Sequence, residues 1–383
     1  MGFSANNNIS DKNVNILYIY NEGRAKRLSS KKTFPKDFFY FFDYVKNNFQ
    51  NTSYIEMDSS NKNIFSKVMN IFERLLRKIT KLPFYFSQIA TLRNIKKIFK
   101  SDVIILTNET VGFSTLLLFL LLKLIKKEIK LIIFIMGFFN NLVSKNQNSK
   151  IVNFFLYKFL KVFDYFVFLG KGEYKYACEN FTNYSKKFVF IPFSIDLEFW
   201  KANNSSSYKE NILFIGNDQN RDFKLLTRIA TSLPNLKFIF ITNIKNDNLP
   251  NNVTLIKGSW REELISDTEL RDIYLNSWLT ILPLKESLQP SGQSVALQSI
   301  SMKVPVMITL TDGFWDEKIF EDEKSIYFIK GGYDEWVSKI QDLKKNNSRI
   351  DVIDKGYDVV KNNYNISENY KAFNNLIKQA LEI

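Results

Sequence analysis

The stretch LKESLQPSGQSVALQSISMKVPVMIT, residues 284–309, decides the fold, because a Pro-Ser-Gly turn joins a β-rich run to a helix. The run LTILPL just before it, residues 279–284, has the composition of a buried strand. Ser291 is a favoured type of residue for the N-cap of the helix. The first amides of a helix have no partner within it, so they can hold an anion. This layout predicts an α/β domain with a phosphate-binding turn.

The helix after the turn has a polar face. At about 100° per residue, Ser291, Ser294 and Gln298 lie on one side, and the apolar residues between them point toward a core. An ordinary N-capped helix with a solvated polar face would show the same pattern. The segment by itself leaves both interpretations open.

The segment resembles the donor-binding element of retaining glycosyltransferases of the GT-B fold, in which two Rossmann-like domains face each other. The similarity is to the family 4 type, in the variant that reads SGQSVxLQ. The resemblance implies that Ser291, Gly292, Gln293 and Ser294 contact a nucleotide diphosphate sugar.

The usual element of that family has two glutamates eight positions apart, the first for the sugar and the second for the ribose. Gln298 stands at the second position, and its amide can still bond ribose hydroxyls. Pro290 stands at the first and cannot take that role. Glu286 and Gln289 are the nearby candidates for the sugar contact, although either can equally be a solvated loop residue.

A second motif, GNDQNRDFKLL, residues 216–226, follows the first strand of the second half. The resemblance implies that Gly216 and Asn217 lie at the donor and that a basic residue reaches its diphosphate. Arg221 fits this role best, because a guanidinium can bind two phosphate oxygens at once, and Lys224 is the second candidate. Either can instead be a surface cation. Asp218 and Asp222 are placed to orient the arginine.

The length of 383 residues suits two domains, and the residue types limit the chemistry. The chain has no histidine, so imidazole acts nowhere as base, nucleophile or metal ligand. Cys178 is the single cysteine, which excludes an intrachain disulfide or a thiolate zinc site. Serine-hydrolase, zinc-protease and zinc-finger functions are therefore excluded. Chemistry by positioning and electrostatics remains, and we expect no metal site and no cofactor beyond the donor substrate.

β-rich runs alternate with helical ones throughout the chain, which predicts mainly parallel sheets covered by helices on both faces. We expect an α/β fold with two facing Rossmann-like domains. Residues 1–200 form an N-terminal acceptor-binding domain, and residues 201–365 form a C-terminal domain that binds the nucleotide sugar. Residues 366–383 form a C-terminal helix that packs back on the first domain. The polar segment 201–210 is the linker.

Six runs in each half have the composition of strands. In the first half they are residues 15–20, 53–58, 102–107, 130–136, 165–169 and 188–192. In the second half they are residues 211–216, 236–242, 253–258, 279–284, 305–309 and 326–330.

The first domain offers residues at the carboxyl ends of its strands, where ligands bind in open α/β sheets. Glu109, after the third strand, is the candidate for an acceptor or sugar contact. As an acid at the start of a helix it can instead do no more than favour the helix dipole.

The net positive charge of the chain is confined to its first half. Residues 1–200 contain 30 Lys and Arg against 15 Asp and Glu, a net charge of +15, whereas residues 201–383 have a net charge of −1. A basic domain fits nucleic acid, an anionic membrane surface or an acidic polymer. The aromatic residues fall mainly within apolar runs that belong to the core, so we expect no nucleic-acid partner.

Residues 64–82, IFSKVMNIFERLLRKITKL, form the best amphipathic helix, with an apolar arc flanked by five cations. This pattern is typical of helices that dock on membranes, although a helix packed on the sheet would show it too. No apolar run reaches the roughly 20 residues that span a bilayer, and residues 1–11 lack the features of a signal peptide. We expect a cytoplasmic protein, with peripheral attachment to the inner face of the cell membrane as an option.

The resemblance implies transfer of a sugar to a glycan or lipid-linked acceptor, with retention of configuration and without a metal ion. Assembly of surface polysaccharide or glycoconjugate is the expected role. Three alternatives stay open: a degenerate GT-B protein that docks on a membrane or partner without turnover, a nucleic-acid-binding protein, and a sugar nucleotide epimerase.

Overall fold

The computed structural model describes residues 14–30, 33–60, 64–126, 128–139, 149–202, 209–244, 248–258, 264–346 and 350–382. Its strands form two six-stranded parallel sheets. The first sheet has the order β2-β1-β3-β4-β5-β6 and contains β1 (Ile16–Tyr20), β2 (Thr52–Glu56), β3 (Val103–Leu106), β4 (Lys130–Ile135), β5 (Tyr165–Phe168) and β6 (Phe188–Phe190). The second has the order β12-β11-β10-β7-β8-β9 and contains β7 (Asn211–Ile215), β8 (Lys237–Ile241), β9 (Val253–Ile256), β10 (Ser277–Leu282), β11 (Val306–Thr309) and β12 (Tyr327–Ile329).

Thirteen α-helices of the described residues surround the sheets. In the first part of the chain they are α1 (Ala25–Leu28), α2 (Phe42–Asn48), α3 (Ile64–Thr80), α4 (Leu92–Lys100), α5 (Glu109–Ile125), α6 (Lys150–Val162) and α7 (Lys171–Asn180). They continue with α8 (Phe223–Ser232), α9 (Asp267–Leu275), α10 (Gln293–Ser301), α11 (Tyr333–Asn346), α12 (Ile350–Asn363) and α13 (Ile366–Leu381).

Each predicted strand run overlaps one observed strand, with ends that differ by a few residues. The alternation of apolar runs and helices is sufficient for this, because strands covered on both faces are continuously apolar. The expected fold class, two Rossmann-like α/β domains with parallel sheets, is confirmed.

The first sheet is covered on both faces. Helices α3 to α7 pack on one face over a core that includes Leu17, Ile104 and Phe159. Helices α2 and α13 lie on the other, where the ring of Phe373 stacks on Phe41 with centroids 5.1 Å apart. The last helix thus lies against the first domain. The predicted linker falls largely on residues 203–208, outside the described residues.

The two domains are in direct contact. Arg27 forms a buried ion pair with Asp267, with its Nη1 2.9 Å and 3.0 Å from the two carboxylate oxygens. Lys171 of α7 forms a second pair with Asp316, at 2.6 Å. The segment after β10 also lies against the loops at the carboxyl ends of β4 and β5. The two sheets therefore face each other across a narrow cleft.

Among the described residues, no helix combines the length and the apolar character needed to cross a bilayer.

Candidate active site

A cavity of about 180 Å³ lies in the cleft between the domains. From the first domain it is lined by Phe38, Tyr40, Met136, Leu169 and Phe193. From the second domain it is lined by Asp218, Arg221 and residues 289–294. The lining residues of both domains lie in the segments that follow the carboxyl ends of parallel strands. The cavity therefore occupies the place where open α/β sheets bind ligands.

Arg221 is the buried cation of this cavity, with 4% of its surface exposed. Its Nε lies 2.9 Å from Oδ2 of Asp218. Its Nη1 is buried and has no hydrogen-bond partner within the part of the chain that the structure describes. Burial lowers the pKa of the Arg221 guanidinium, and the Asp218 carboxylate opposes that effect. A guanidinium remains charged under these conditions, so a buried donor is left to bind an anion.

Two glycines make room for this guanidinium. A Cβ on Gly216 would lie 2.3 Å from Nε of Arg221, and a Cβ on Gly292 would lie 2.9 Å from its Nη1. Gly292 also has a φ of +81°, in the left-handed region that favours glycine. The arginine therefore lies directly against the start of α10.

Gly292→Ala tests this packing. We expect a loss of about 1–2 kcal/mol of unfolding free energy from the left-handed conformation, and a further loss from displacement of Arg221. Chemical unfolding measures both. In the double variant Gly292→Ala/Arg221→Ala the clash is absent, so the effects should be non-additive. Strict additivity of the two substitutions would show that the side chain of Arg221 does not pack on Gly292.

The start of α10 differs from the sequence prediction. The helix begins at Gln293 with Gly292 as its N-cap residue, and no side chain caps it, so the prediction of Ser291 as N-cap is wrong. The reason is that the Ser291 hydroxyl accepts a hydrogen bond from Nδ2 of Asn220, at 3.0 Å, while its N–H is bonded to the Gln289 carbonyl. No protein acceptor within the described residues binds the N–H of Ser294, so the first turn still presents a free amide beside Arg221.

Gln289 reaches across the cleft. Its Oε1 accepts a hydrogen bond from Asn220 at 3.0 Å, and its side chain lies where a Cβ on Gly137 would be, 2.7 Å away. Gly137 follows β4 with a φ of +95°. Gln293 also bonds the first domain, through Nε2 to the carbonyl of Leu169 at 2.9 Å. The turn thus contacts both domains.

Gln298 lies one turn deeper in α10, with 3% of its surface exposed. Its Nε2 donates to Oδ2 of Asp37 at 3.0 Å, and its Oε1 accepts from the hydroxyl of Tyr274 at 3.3 Å. Asp37 also accepts hydrogen bonds from Nε1 of Trp200 and the N–H of Asp196, each at 2.6 Å. Every residue of α10 except the half-buried Ser294 is buried, so the alternative of an N-capped helix with a solvated polar face does not apply. The ribose role of Gln298 stays a prediction.

Burial raises the pKa of Asp37 from 3.8 to about 7, against the effect of its three hydrogen bonds. Because the folded-state pKa is raised, the stabilisation is complete below pH 4 and is lost as the pH rises through about 7. The shift corresponds to roughly 4 kcal/mol of unfolding free energy. We expect Asp37→Asn to reduce the fall in stability between pH 4 and 8, measured by urea unfolding. Glu198→Gln, whose side chain is 91% exposed, is the control. An unchanged slope for Asp37→Asn would contradict this assignment.

Glu109 begins α5 on the first-domain side of the cleft. Burial raises its pKa from 4.5 to about 7, and the backbone N–H of Met136 opposes the rise by hydrogen bonding to the carboxylate. Burial is the main cause of the raised pKa of Tyr40, which lines the cavity, and the nearby Glu109 carboxylate adds to the rise while Arg24 opposes it. Oε2 of Glu109 is buried without a hydrogen-bond partner among the described residues. Glu109 itself does not line the cavity, but the structure places its carboxyl next to Tyr40 and Met136, which do.

Three other predicted site residues do not line the cleft. Lys224 is exposed on α8, beside a surface groove that includes Thr227 and Arg228. Glu286 is exposed and accepts hydrogen bonds from the N–H groups of Ser287 and Asp312. The side chain of Asn217 bonds the backbone of Gly258 and Asn243, so it joins the ends of β7, β8 and β9.

Four residues of this region were not predicted as site residues: Asn220, Tyr40, Asp37 and Tyr274. Asn220 lies within the motif of residues 216–226, where a polar residue next to Arg221 is a recognisable signal. Asp37 and Tyr274 give no such signal, because Asp37 meets Gln298 only through the packing of the two domains and Tyr274 reaches it from another helix of the second domain. Of the predicted orienting acids, Asp218 contacts Arg221, while Asp222 caps α8.

Solved structures with the same fold are GT-B glycosyltransferases. HepE of Anabaena, solved with UDP and glucose, has a TM-score of 0.66 at 9% identity, over 96% of this chain and 100% of that one. A sucrose-phosphate synthase of Thermosynechococcus elongatus has a TM-score of 0.65 at 10% identity, with 95% and 98% covered. A glycosyltransferase of Rickettsia africae has a TM-score of 0.63 at 15% identity, with 97% and 99% covered.

At such identities these likenesses establish the GT-B fold of the chain. No protein-family model matches the sequence. No curated protein matches it significantly either.

Proposed function

We propose that this protein is a glycosyltransferase that moves a sugar from a nucleotide diphosphate sugar to a glycan or lipid-linked acceptor. The observation that carries the proposal is the buried, unpartnered Nη1 of Arg221, which lies against Gly292 at the start of α10 in the interdomain cleft. A buried donor without a partner is costly, so it points to a ligand that supplies an acceptor.

A diphosphate fits this position. The guanidinium supplies positive charge, and the first amides of α10 supply hydrogen-bond donors and the positive end of the helix dipole. As the bond between the sugar and the diphosphate breaks, negative charge grows on the leaving oxygen. Arg221 and the amides of Gly292 and Ser294 stabilise that charge in a preorganised site, while the N–H of Gln293 bonds the Pro290 carbonyl at 3.4 Å. No step needs a metal ion, so we propose a metal-independent reaction.

Gln298 is the proposed ribose contact. Its amide retains one N–H and acceptor capacity beyond the bonds to Asp37 and Tyr274, so it can bind a ribose hydroxyl. With 3% of its surface exposed, it becomes accessible only when the two domains move apart. UDP and sugar in the cocrystal of HepE agree with a donor of this class.

Glu109 is proposed to contact the acceptor hydroxyl or the sugar. It is a titratable carboxyl close to Tyr40, which lines the same cavity as Arg221. Retention of configuration and a role in surface polysaccharide or glycoconjugate assembly are proposed from the resemblance of residues 291–298 to the SGQSVxLQ element. Product anomers, followed by NMR, test the stereochemistry.

Calorimetric titration with UDP, GDP, ADP and CDP, in buffer with a metal chelator, tests the proposal. We expect micromolar binding of one nucleotide, weakened by Gln298→Ala, and release of that nucleotide from its sugar derivatives. Failure of all four to bind up to millimolar concentration would favour the alternative of a degenerate GT-B protein that docks without turnover.

A further inference from the structure

The outer faces of four helices on the first domain expose large apolar side chains. On α3 and α4 they are Val68, Ile71, Phe72, Leu75, Ile79, Leu92 and Phe99. On α5 and α6 they are Leu117, Leu121, Leu124, Ile125, Phe154 and Tyr157. Ile71 is 73% exposed and Leu124 is 77% exposed. We call these thirteen residues the outer apolar surface; monomeric proteins rarely expose so many together.

The surface is built on one side of the molecule. Helices α3, α4, α5 and α6 all contribute to the core over the same face of the first sheet. A series of ring contacts links α3 to α6: Phe72 stacks on Phe86, Phe86 packs on Phe84, and Phe84 packs on Phe155. Of the apolar arc predicted for residues 64–82, Leu76 and Leu82 are buried. The core therefore covers only part of the arc of α3.

The charge on these four helices is mainly positive, although Lys123 is paired with Asp164 at 2.8 Å. The cations of the four helices are Lys67, Arg74, Arg77, Lys78, Arg93, Lys96, Lys97, Lys100, Lys123, Lys150, Lys158 and Lys161. Their acids are Glu73 and Glu109. Glu73 is buried, where its carboxylate bonds Ser87 and lies 3.4 Å from Arg77, and Glu109 is at the cleft. A second copy of this surface would bring like charges together, so self-association is disfavoured.

Aromatic side chains and cations lie together on α6. Nζ of Lys158 is 5.4 Å from the ring centre of Phe154, and Nζ of Lys161 is 6.0 Å from that of Tyr157. Both rings are exposed. Apolar and aromatic groups at the level of lipid headgroups, with Lys and Arg beside them, are the arrangement that binds an anionic bilayer surface.

We propose that the outer apolar surface docks on a bilayer that contains anionic lipids, with its apolar side chains at the headgroup boundary and its cations against lipid phosphates. The donor cleft stays clear of the lipid, because the exposed residues of α5 begin at Leu117, about 12 Å along the helix from Glu109. The inference does not depend on the proposed transferase activity.

Vesicle flotation of the full chain tests the proposal. We expect binding to vesicles of equal parts phosphatidylglycerol and phosphatidylcholine, little binding to phosphatidylcholine alone, and weaker binding at high salt. Ile71→Ser/Leu121→Ser should bind at least about tenfold more weakly, since two apolar side chains that enter the headgroup boundary on docking are lost. Lys67→Gln/Lys78→Gln should also lose about tenfold or more.

Ile350→Ser is the matched control, since Ile350 is 68% exposed but belongs to α12 of the second domain. It should bind as the unaltered chain does. Unchanged thermal unfolding of each variant shows that the fold is intact, as expected for exposed positions. The proposal is overturned if the unaltered chain binds neither vesicle, if Ile71→Ser/Leu121→Ser binds normally, or if that variant instead dissociates a dimer in gel filtration without any change in flotation.

Discussion

Arg221→Ala is expected to weaken the binding of the nucleoside diphosphate by about 10- to 100-fold. Each hydrogen bond to a charged group contributes about 1.5–3 kcal/mol, and the buried Nη1 of Arg221 is the donor left for the diphosphate. Arg221→Lys should recover only part of the affinity, since an ammonium lacks the planar fork of a guanidinium. Equilibrium titration of the same nucleotide into each variant measures the effect.

Arg228→Ala is the matched control for this prediction. Arg228 lies on α8 close in sequence to Arg221, is exposed, and has its guanidinium over the ring of Tyr333, outside the cleft. Its removal should leave the dissociation constant within about twofold. Equal losses in Arg228→Ala and Arg221→Ala would mean that general positive charge, rather than the cleft donor, binds the nucleotide.

Glu109→Gln is expected to lower the transfer rate by about 100-fold or more, if the proposed contact of its carboxylate with the acceptor hydroxyl includes removal of the hydroxyl proton. With a pKa of about 7, Glu109 is mostly protonated at pH 5. The rate of the unaltered enzyme should therefore rise with pH up to about 7 and then level off. The amide variant should lack this rise. Initial rates of nucleotide release between pH 5 and 9 measure both.

The pKa of Asp37 is also raised to about 7, so the variants must distinguish the effect of Asp37 from that of Glu109. Asp37→Asn should change the pH dependence of stability while the rise in rate is retained. Glu128→Gln, at an exposed position between α5 and β4, should behave as the unaltered enzyme. A Glu109→Gln enzyme with a normal rate and a normal pH profile would exclude Glu109 from the reaction.

Much of the fold is predictable from the sequence, because strands buried on both faces are continuous apolar runs. Runs such as residues 130–136 and 211–216 leave no other secondary structure that suits them, and their alternation with helices determines a parallel sheet. Arg221 and its partner Asp218 were also predictable, since they lie in one motif and meet over three residues.

Contacts between residues distant in sequence were not predictable in this way. Ser291 has the residue type of an N-cap, but its hydroxyl bonds Asn220, which is distant in sequence, and the left-handed Gly292 begins the helix. Gln298 has the helical position of a solvated residue, yet the first domain covers it through Asp37. Such contacts follow from how separate elements and the two domains pack together, which no local pattern encodes. Lys224 shows the converse, since its place in a motif does not bring it to the cleft.

The crystal structure of the protein with its nucleoside diphosphate would test the central claim most directly. A second cavity, of about 470 Å³, is lined by three lysines, Lys171, Lys175 and Lys318, and by four acids, Glu179, Asp312, Asp316 and Glu317, and is the competing location for the diphosphate. We predict that the diphosphate lies within hydrogen-bonding distance, about 2.7–3.2 Å, of Arg221 and of the first amides of α10. A diphosphate bound among the three lysines, with Nη1 of Arg221 still without a hydrogen-bond partner, would contradict the account.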